Sequence, residues 1–170
     1  DALPIFITNP LGVVWKAKNA GIPPKVIRDC SPACVVKFTG AAKAKLVQTV
    51  IPDPSFVRFK PGDLIRAGAL AGEAPIAGAN IKLTILINYS DGTPPTKVSA
   101  VRIVTSTSEG VYQTTGLLFA EIASKAVKSI RLTLSSPTAA DTFSVLQASL
   151  AMLGGTSLRD AAALPLPPSP

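Results

Sequence analysis

Residues 79–89 have the sequence ANIKLTILINY, and this stretch decides the fold class. Large apolar side chains occupy every second position from Ile81 to Tyr89, and polar side chains such as Lys82 and Thr84 lie between them. Successive side chains of a strand point to opposite faces of a sheet, so alternation with a period of two predicts a half-buried antiparallel strand. Residues 130–135 show the same alternation, which predicts a second strand of this kind.

Other β-rich segments follow one another on both sides of this stretch. They are separated by typical turn sequences such as Pro61-Gly62-Asp63 and Asp91-Gly92-Thr93. Short strands at a spacing of about ten residues predict an all-β fold, an antiparallel β-sandwich of the jelly-roll type. The predicted strands are 13–15, 34–39, 45–51, 55–60, 64–71, 79–89, 97–105, 111–120, 127–135 and 142–153. Residues 19–33 are predicted to be a loop, and residues 121–127 a possible helical turn.

The sandwich domain is predicted to span residues 13–155, with one segment before it and one after it. Residues 1–12 form an extended arm, because Pro4 and Pro10 flank its apolar part and exclude a helix. Residues 156–170 form a proline-rich tail, and its last seven residues are expected to adopt polyproline II. The start at Asp1 looks like a processed end, so we expect a secreted protein, extracellular or at the cell surface, whose signal peptide has been removed.

The chain contains no histidine, which excludes Ser-His-Asp and Cys-His catalysis. Several acidic residues stand in turns, as Asp53, Asp63 and Asp91 do, and turn chemistry explains them. We therefore predict a non-catalytic protein that needs no cofactor. The net charge is +7, but the basic residues are scattered along the chain, so no nucleic-acid partner is expected. No apolar run is long enough to predict a membrane span.

Cys30 and Cys34 are the only two cysteines, and they lie in the segment Cys-Ser-Pro-Ala-Cys. A pair this close favours a small disulfide loop formed in an oxidising compartment. Two free thiols are the alternative. A zinc site is not expected, because no histidine or further cysteine is present to complete it.

Apolar residues make up 47% of the chain and charged residues only 16%, which is more apolar surface than one small core needs. This excess fits a thickly packed sandwich, and it equally fits a surface buried against copies of the same chain. The second interpretation predicts a structural subunit of a filament, sheath or surface layer, assembled by strand addition from the arm. The predicted contact residues are Leu3, Ile5, Phe6 and Ile7 in the arm and Leu164, Leu166, Pro167 and Pro168 in the tail.

The order of several motifs resembles the carbohydrate-binding-module-like jelly-roll domains of bacterial secreted and cell-surface proteins. These motifs occur at residues 37–40, 45–50, 59–63, 86–93, 128–132 and 141–150. The resemblance implies a glycan-binding sheet, in which exposed aromatic rings stack on sugar faces. Trp15 and Tyr112 are the residues expected to do this, whereas Tyr89 lies in phase with the core. The family often has a structural calcium, but Leu146 and Gln147 stand where acidic residues are usual, so no calcium is expected.

Overall fold

A computed structural model describes residues 16–18, 26–29, 35–40, 44–53, 57–75 and 78–153. These residues form eleven β-strands and no helix. The strands are β1 (Lys16–Lys18), β2 (Val26–Asp29), β3 (Val35–Phe38), β4 (Lys45–Val50), β5 (Leu64–Gly72), β6 (Ala79–Tyr89), β7 (Thr96–Val104), β8 (Tyr112–Thr114), β9 (Leu118–Glu121), β10 (Val127–Ser135) and β11 (Phe143–Leu153).

The strands form two sheets, and every pairing within them is antiparallel. The first, called sheet A, has the order β1-β4-β10-β6-β7. The second, called sheet B, has the order β2-β3-β11-β5-β8, and β9 pairs with the same edge of β5 further along. Chain neighbours such as β5 and β6 lie in different sheets, so the predicted all-β sandwich with jelly-roll connections is confirmed.

One hydrophobic core lies between the inner faces of the two sheets. Sheet A contributes long aliphatic side chains, among them Ile85 of β6 and Leu132 of β10. In sheet B, strand β5 contributes small ones, among them Ala67, Ala69 and Ala71. Burying each long aliphatic side chain stabilises the fold by about 1.5–3 kcal/mol. The alternation in β6 therefore fixes which face of sheet A points inward, and a slip of one residue would expose that whole row.

Several predictions of local structure are confirmed, and others are wrong. Strands β6 and β10 have the predicted bounds. The predicted loop at 19–33 is wrong in part, because it contains β2, whose backbone pairs with β3. The predicted strand at 55–60 is wrong at residues 57–60, which form no strand, and the chain takes no helical turn over 121–127. The predicted strand at 111–120 is two strands, because Gly116 has a φ of 82° and interrupts the extended backbone.

Three acidic side chains fasten turns and loops. Asp63 accepts a hydrogen bond from the Lys60 N–H at 2.8 Å. The hydroxyl of Ser124 and the N–H of Thr93 hold the pKa of Asp91 at about 2. Asp141 accepts from the Asn80 N–H at 2.7 Å and from the Thr138 N–H at 2.9 Å. The turn roles predicted for Asp63 and Asp91 are confirmed.

Other predicted features lie outside the described residues. These are the N-terminal arm with Leu3, Ile5, Phe6 and Ile7, the strand at 13–15 with Trp15, the pair Cys30 and Cys34, and the tail with Leu164, Leu166, Pro167 and Pro168. The arm contact, the disulfide and the tail contact therefore stay predictions, as do the domain boundaries at residues 12 and 155. The described residues contain no helix that could cross a membrane.

Candidate functional site

A row of four residues crosses the outer face of sheet B. Lys37 of β3 pairs with Ser144 of β11, Ser144 pairs with Gly72 of β5, and Gly72 pairs with Tyr112 of β8. The neighbours of the row along the strands, such as Phe38 and Phe143, belong to the core. Alternation therefore directs the side chains of the row away from the core. The row brings together a cation, a hydroxyl and an aromatic ring from distant parts of the chain.

Gly72 lies in the middle of this row. A Cβ atom at this position would lie 2.0 Å from the carbonyl oxygen of Val111 and 3.1 Å from the Cα of Tyr112. Only glycine lets the backbone at the start of β8 approach β5 this closely. The close approach brings Tyr112 into the same row as Ser144.

Glu73 follows Gly72 directly, and its carboxylate interacts with Tyr112 and Ser144, the two neighbours of Gly72 in the row. Its φ of 52° makes it the only non-glycine residue with a positive φ among the described residues. A side chain held in the left-handed region costs free energy, and such residues are common at binding sites. The Glu73 carboxylate accepts a hydrogen bond from the Gly110 N–H at 2.9 Å.

The surroundings of Glu73 keep it ionised. Burial acts to raise its pKa, but the hydrogen bonds from the Gly110 N–H and from the side chains of Tyr112 and Ser144 outweigh this effect. The positive charge of Lys37 acts in the same direction as these hydrogen bonds. The pKa of Glu73 therefore lies below its ordinary value of 4.5. At neutral pH the site contains a fixed carboxylate beside a lysine, with the hydroxyl of an aromatic ring bonded to it.

These residues line a cleft of about 650 Å³. This volume falls within the range of ligand-binding clefts, roughly 300–1,000 Å³. One wall is the loop at 105–111, which is fastened by hydrogen bonds from the Ala74 N–H to the Ser106 carbonyl at 3.1 Å and from the Ser106 hydroxyl to the Val111 carbonyl at 2.9 Å. The cleft is lined by Val35, Lys37, Phe38, Thr39, Glu73, Pro75, Thr107, Glu109, Gly110, Tyr112, Thr142, Phe143, Ser144 and Leu146.

The aromatic rings of the cleft have two different roles. Phe38 and Phe143 stack with their ring centres 4.7 Å apart, and they are only 1% and 2% exposed. These two rings belong to the core, so a ligand in the cleft cannot stack on them. Tyr112 is partly exposed, so it is the ring of the cleft that a sugar face can contact.

The arrangement suits binding better than catalysis. The ionised carboxylate of Glu73 can accept hydrogen bonds from a ligand. Within the described part of the chain, no three acidic, cysteine or histidine residues come together as a metal site. The cleft contains a charged hydrogen-bond acceptor, a cation and an accessible ring face. Groups of these kinds can bind molecules that carry many hydroxyls.

The aromatic residues that the sequence analysis named have different locations. Tyr112 lies in the cleft, and its contact with a glycan stays a prediction. Trp15 lies outside the described residues. Tyr89 is a core residue, as predicted, and its hydroxyl accepts the Ala123 N–H at 2.8 Å. Lys37 and Ser144 were not predicted, because only the pairing of strands far apart in sequence brings them to the cleft.

Comparison with known proteins finds solved structures that have a similar fold. The chain matches no family model and no curated protein sequence. It is similar to the C-terminal family 22 carbohydrate-binding module of a Clostridium thermocellum xylanase, with a TM-score of 0.50, 16% identity, and coverage of 88% of this chain and 92% of the module. The fold is that of a carbohydrate-binding-module jelly roll.

A second similar structure contains such a module within an enzyme. It holds the CBM22-1 and GH10 modules of endo-1,4-β-D-xylanase 10B from the same organism, complexed with xylohexaose. The TM-score is 0.53 at 13% identity, and the match covers 84% of this chain but only 26% of the xylanase chain. The chain thus spans about a quarter of that xylanase structure. At these identities the likeness establishes the fold and leaves the ligand to the chemistry of the cleft.

Proposed function

We propose that this chain is a non-catalytic carbohydrate-binding module, which holds a short stretch of glycan in the cleft between β3, β11, the end of β5 and β8. The observation that carries the proposal is the carboxylate of Glu73, fixed by Gly110, Tyr112 and Ser144 inside a cleft of this fold. The proposal includes an extracellular or cell-surface location, where such a ligand is found.

The chemistry of the cleft supports a sugar ligand in two ways. Sugar hydroxyls donate to a carboxylate and accept from an ammonium group, and Glu73 and Lys37 supply both. The face of the Tyr112 ring can pack against the C–H face of a pyranose, and its orientation is fixed by the hydrogen bond to Glu73. Polar groups that are already in place bind at a lower entropic cost than groups that must be ordered by the ligand.

Isothermal titration calorimetry with a panel of neutral oligosaccharides tests the proposal. The panel contains xylohexaose, cellohexaose, mannohexaose and laminarihexaose, because the cleft does not by itself select one backbone. We expect at least one to bind, and we expect Tyr112→Ala to weaken that binding by tenfold or more, which corresponds to about 1.4 kcal/mol.

A ring on the same sheet outside the cleft provides the matched control. Phe119 of β9 is partly exposed and pairs with Arg66, away from the cleft. Phe119→Ala should leave the affinity unchanged. If no oligosaccharide binds, or if both substitutions weaken binding equally, the cleft is not the glycan site.

The alternative of a self-assembling structural subunit stays a prediction. Its contact residues, Ile5 and Ile7 of the arm among them, lie outside the described residues, and no observation on the described strands favours it. Deletion of residues 1–10 followed by electron microscopy tests it separately. Polymers that disappear on deletion would support assembly through the arm, and a full-length chain that stays monomeric would refute it.

A further inference from the structure

The outer face of sheet A has a charge pattern that sheet B lacks. Every charged residue in the strands of sheet A is Lys or Arg, whereas the strands of sheet B contain Asp29 and Glu121 beside their basic residues. The acidic residues Asp53 and Asp91 lie in loops beyond the ends of the sheet A strands. The strands of sheet A contain Lys16, Lys18, Lys45, Lys82, Lys97, Arg102, Lys128 and Arg131. Arg102 is not part of the outer face, because it pairs with the core residue Ile81 and donates to the Leu117 carbonyl at 3.2 Å.

Strand register arranges four of these cations in two lines across the face. Lys97 of β7 and Arg131 of β10 both pair with Leu86 of β6, so they share one line. Lys82 of β6 and Lys45 of β4 both pair with Ser135 of β10, so they share another. Two strand spacings separate the cations within each line, about 10 Å, and four residues of strand separate the lines, about 13 Å.

A line of hydroxyl groups lies between the two lines of cations. Thr84 of β6 pairs with Ser99 of β7 on one side and with Thr133 of β10 on the other. The hydroxyls of Thr84 and Ser99 are 2.8 Å apart and exposed. Along the strands, lines of positive charge therefore lie on either side of a line of groups that both donate and accept hydrogen bonds.

The part of this face formed by β6 and β7 is open to solvent. Lys82, Lys97 and Ser99 are exposed, and Val101 and Ile103 are 52% and 61% exposed. The strands of sheet A contain one aromatic residue, Tyr89, and it belongs to the core. Among the described residues, this face offers no ring on which a neutral sugar or a nucleobase could stack, so the attraction that they provide is mainly electrostatic.

We infer that the outer face of sheet A binds a linear polysaccharide that carries carboxylates, a polyuronate. Widely spaced single cations match a polymer with one carboxylate per sugar better than a densely sulfated one. The hydroxyl line at Thr84 and Ser99 matches the free sugar hydroxyls that lie between the carboxylates of such a polymer. This surface is separate from the cleft on sheet B, and the inference does not depend on the function proposed there.

The expected binding is weak at each contact and sensitive to salt. An exposed ion pair contributes about 0.2–1 kcal/mol, so affinity requires several at once. Salt screens exposed charges beyond about 10 Å at 0.1 M and beyond about 3 Å at 1 M. Raising the salt concentration should therefore abolish this binding while leaving a neutral ligand in the cleft of sheet B bound.

Calorimetry of the full chain with polygalacturonate tests the inference. The same polymer in its methyl-esterified form is the ligand control, because esterification removes the charge and keeps the sugar. We expect the chain to bind polygalacturonate and not its methyl ester. The double substitution Lys82→Ala with Lys97→Ala should weaken the binding of polygalacturonate about tenfold.

A double substitution that removes the same charge elsewhere is the control variant. Lys60 and Lys125 are exposed and lie in loops outside sheet A, so Lys60→Ala with Lys125→Ala should retain the affinity. An equal loss in both double variants would show attraction by net charge alone and overturn the inference. Heparin or single-stranded DNA binding as tightly as polygalacturonate would overturn it too, and so would loss of polygalacturonate binding in Tyr112→Ala.

Discussion

The outer faces of the two sheets differ in depth, charge and aromatic content. Sheet B has a cleft on its outer face, lined by a carboxylate, a lysine and a tyrosine ring. The described strands of sheet A carry no acidic residue and no outward aromatic ring, and their face is lined by cations and hydroxyls. Both sheets contribute side chains to one core. The two outer faces therefore differ through the outward residues that alternate with the core residues along each strand. One sandwich thus presents two surfaces with different chemistry.

The largest effect should come from a side chain at Gly72, where β5 and the start of β8 approach most closely. Gly72→Ala places a Cβ atom against backbone, which cannot move aside as a side chain can. We expect the free energy of unfolding to fall by about 3 kcal/mol, as for severe overpacking. Urea denaturation measures this change.

Another glycine of the same strand provides the comparison. A Cβ atom at Gly68 would meet the flexible Leu117 side chain at 3.2 Å, so Gly68→Ala should cost about 1 kcal/mol or less. Similar losses at both positions would mean that the backbone contact at Gly72 does not require glycine.

An intermediate effect should come from neutralising the carboxylate of the cleft. Glu73→Gln weakens three hydrogen bonds and the interaction with Lys37, so stability at neutral pH should fall by about 1–2 kcal/mol. The folded pKa of Glu73 is lowered, so its contribution is complete above about pH 4.5 and is lost as the pH falls through the lower folded value.

Denaturation at a series of pH values shows whether the contribution of Glu73 to stability is lost as the pH falls. The parent chain and the Gln variant should differ at pH 7 and converge in acid. A gap that widens in acid would contradict the lowered pKa of Glu73.

A smaller effect, in the opposite direction, should come from the inner face of sheet A. The side chain of Gln48 is 1% exposed, and neither atom of its amide has a hydrogen-bond partner among the described residues. An unpaired buried amide is destabilising, so Gln48→Met, which conserves shape, should raise the free energy of unfolding by about 1 kcal/mol.

Gln147 of β11 is partly exposed, and it serves as the control. Gln147→Met should change stability by no more than about 0.5 kcal/mol. A destabilised Gln48→Met variant would indicate that the Gln48 amide has a partner outside the described residues.

The sequence predicted regular strands well and irregular ones poorly. In β6 and β10 apolar and polar residues alternate, and the predicted bounds match the structure. Strand β2 has four residues and no alternation long enough to detect, and its pairing with β3 determines it. The break at Gly116 needs a positive φ, which one sequence does not distinguish from an ordinary glycine in a strand.

The cleft could be predicted only in part, for a related reason. Tyr112 was identified because sugar platforms use aromatic rings, and this chain has few. In the sequence, Glu73 is only one of several acidic residues, and no local pattern marks it as a site residue. Its partners Lys37, Gly110 and Ser144 are distant in sequence, and the register of β3, β11, β5 and β8 brings them together. Long-range register is the information that local patterns do not contain.

Nuclear magnetic resonance mapping is the most direct test of the claim that sheet B holds the glycan. Titration with the oligosaccharide that binds best should shift the amide signals of Glu73, Gly110, Tyr112 and Ser144, while those of Thr84 and Ser99 on sheet A stay in place. Shifts confined to sheet A, or spread evenly over both faces, would contradict the account.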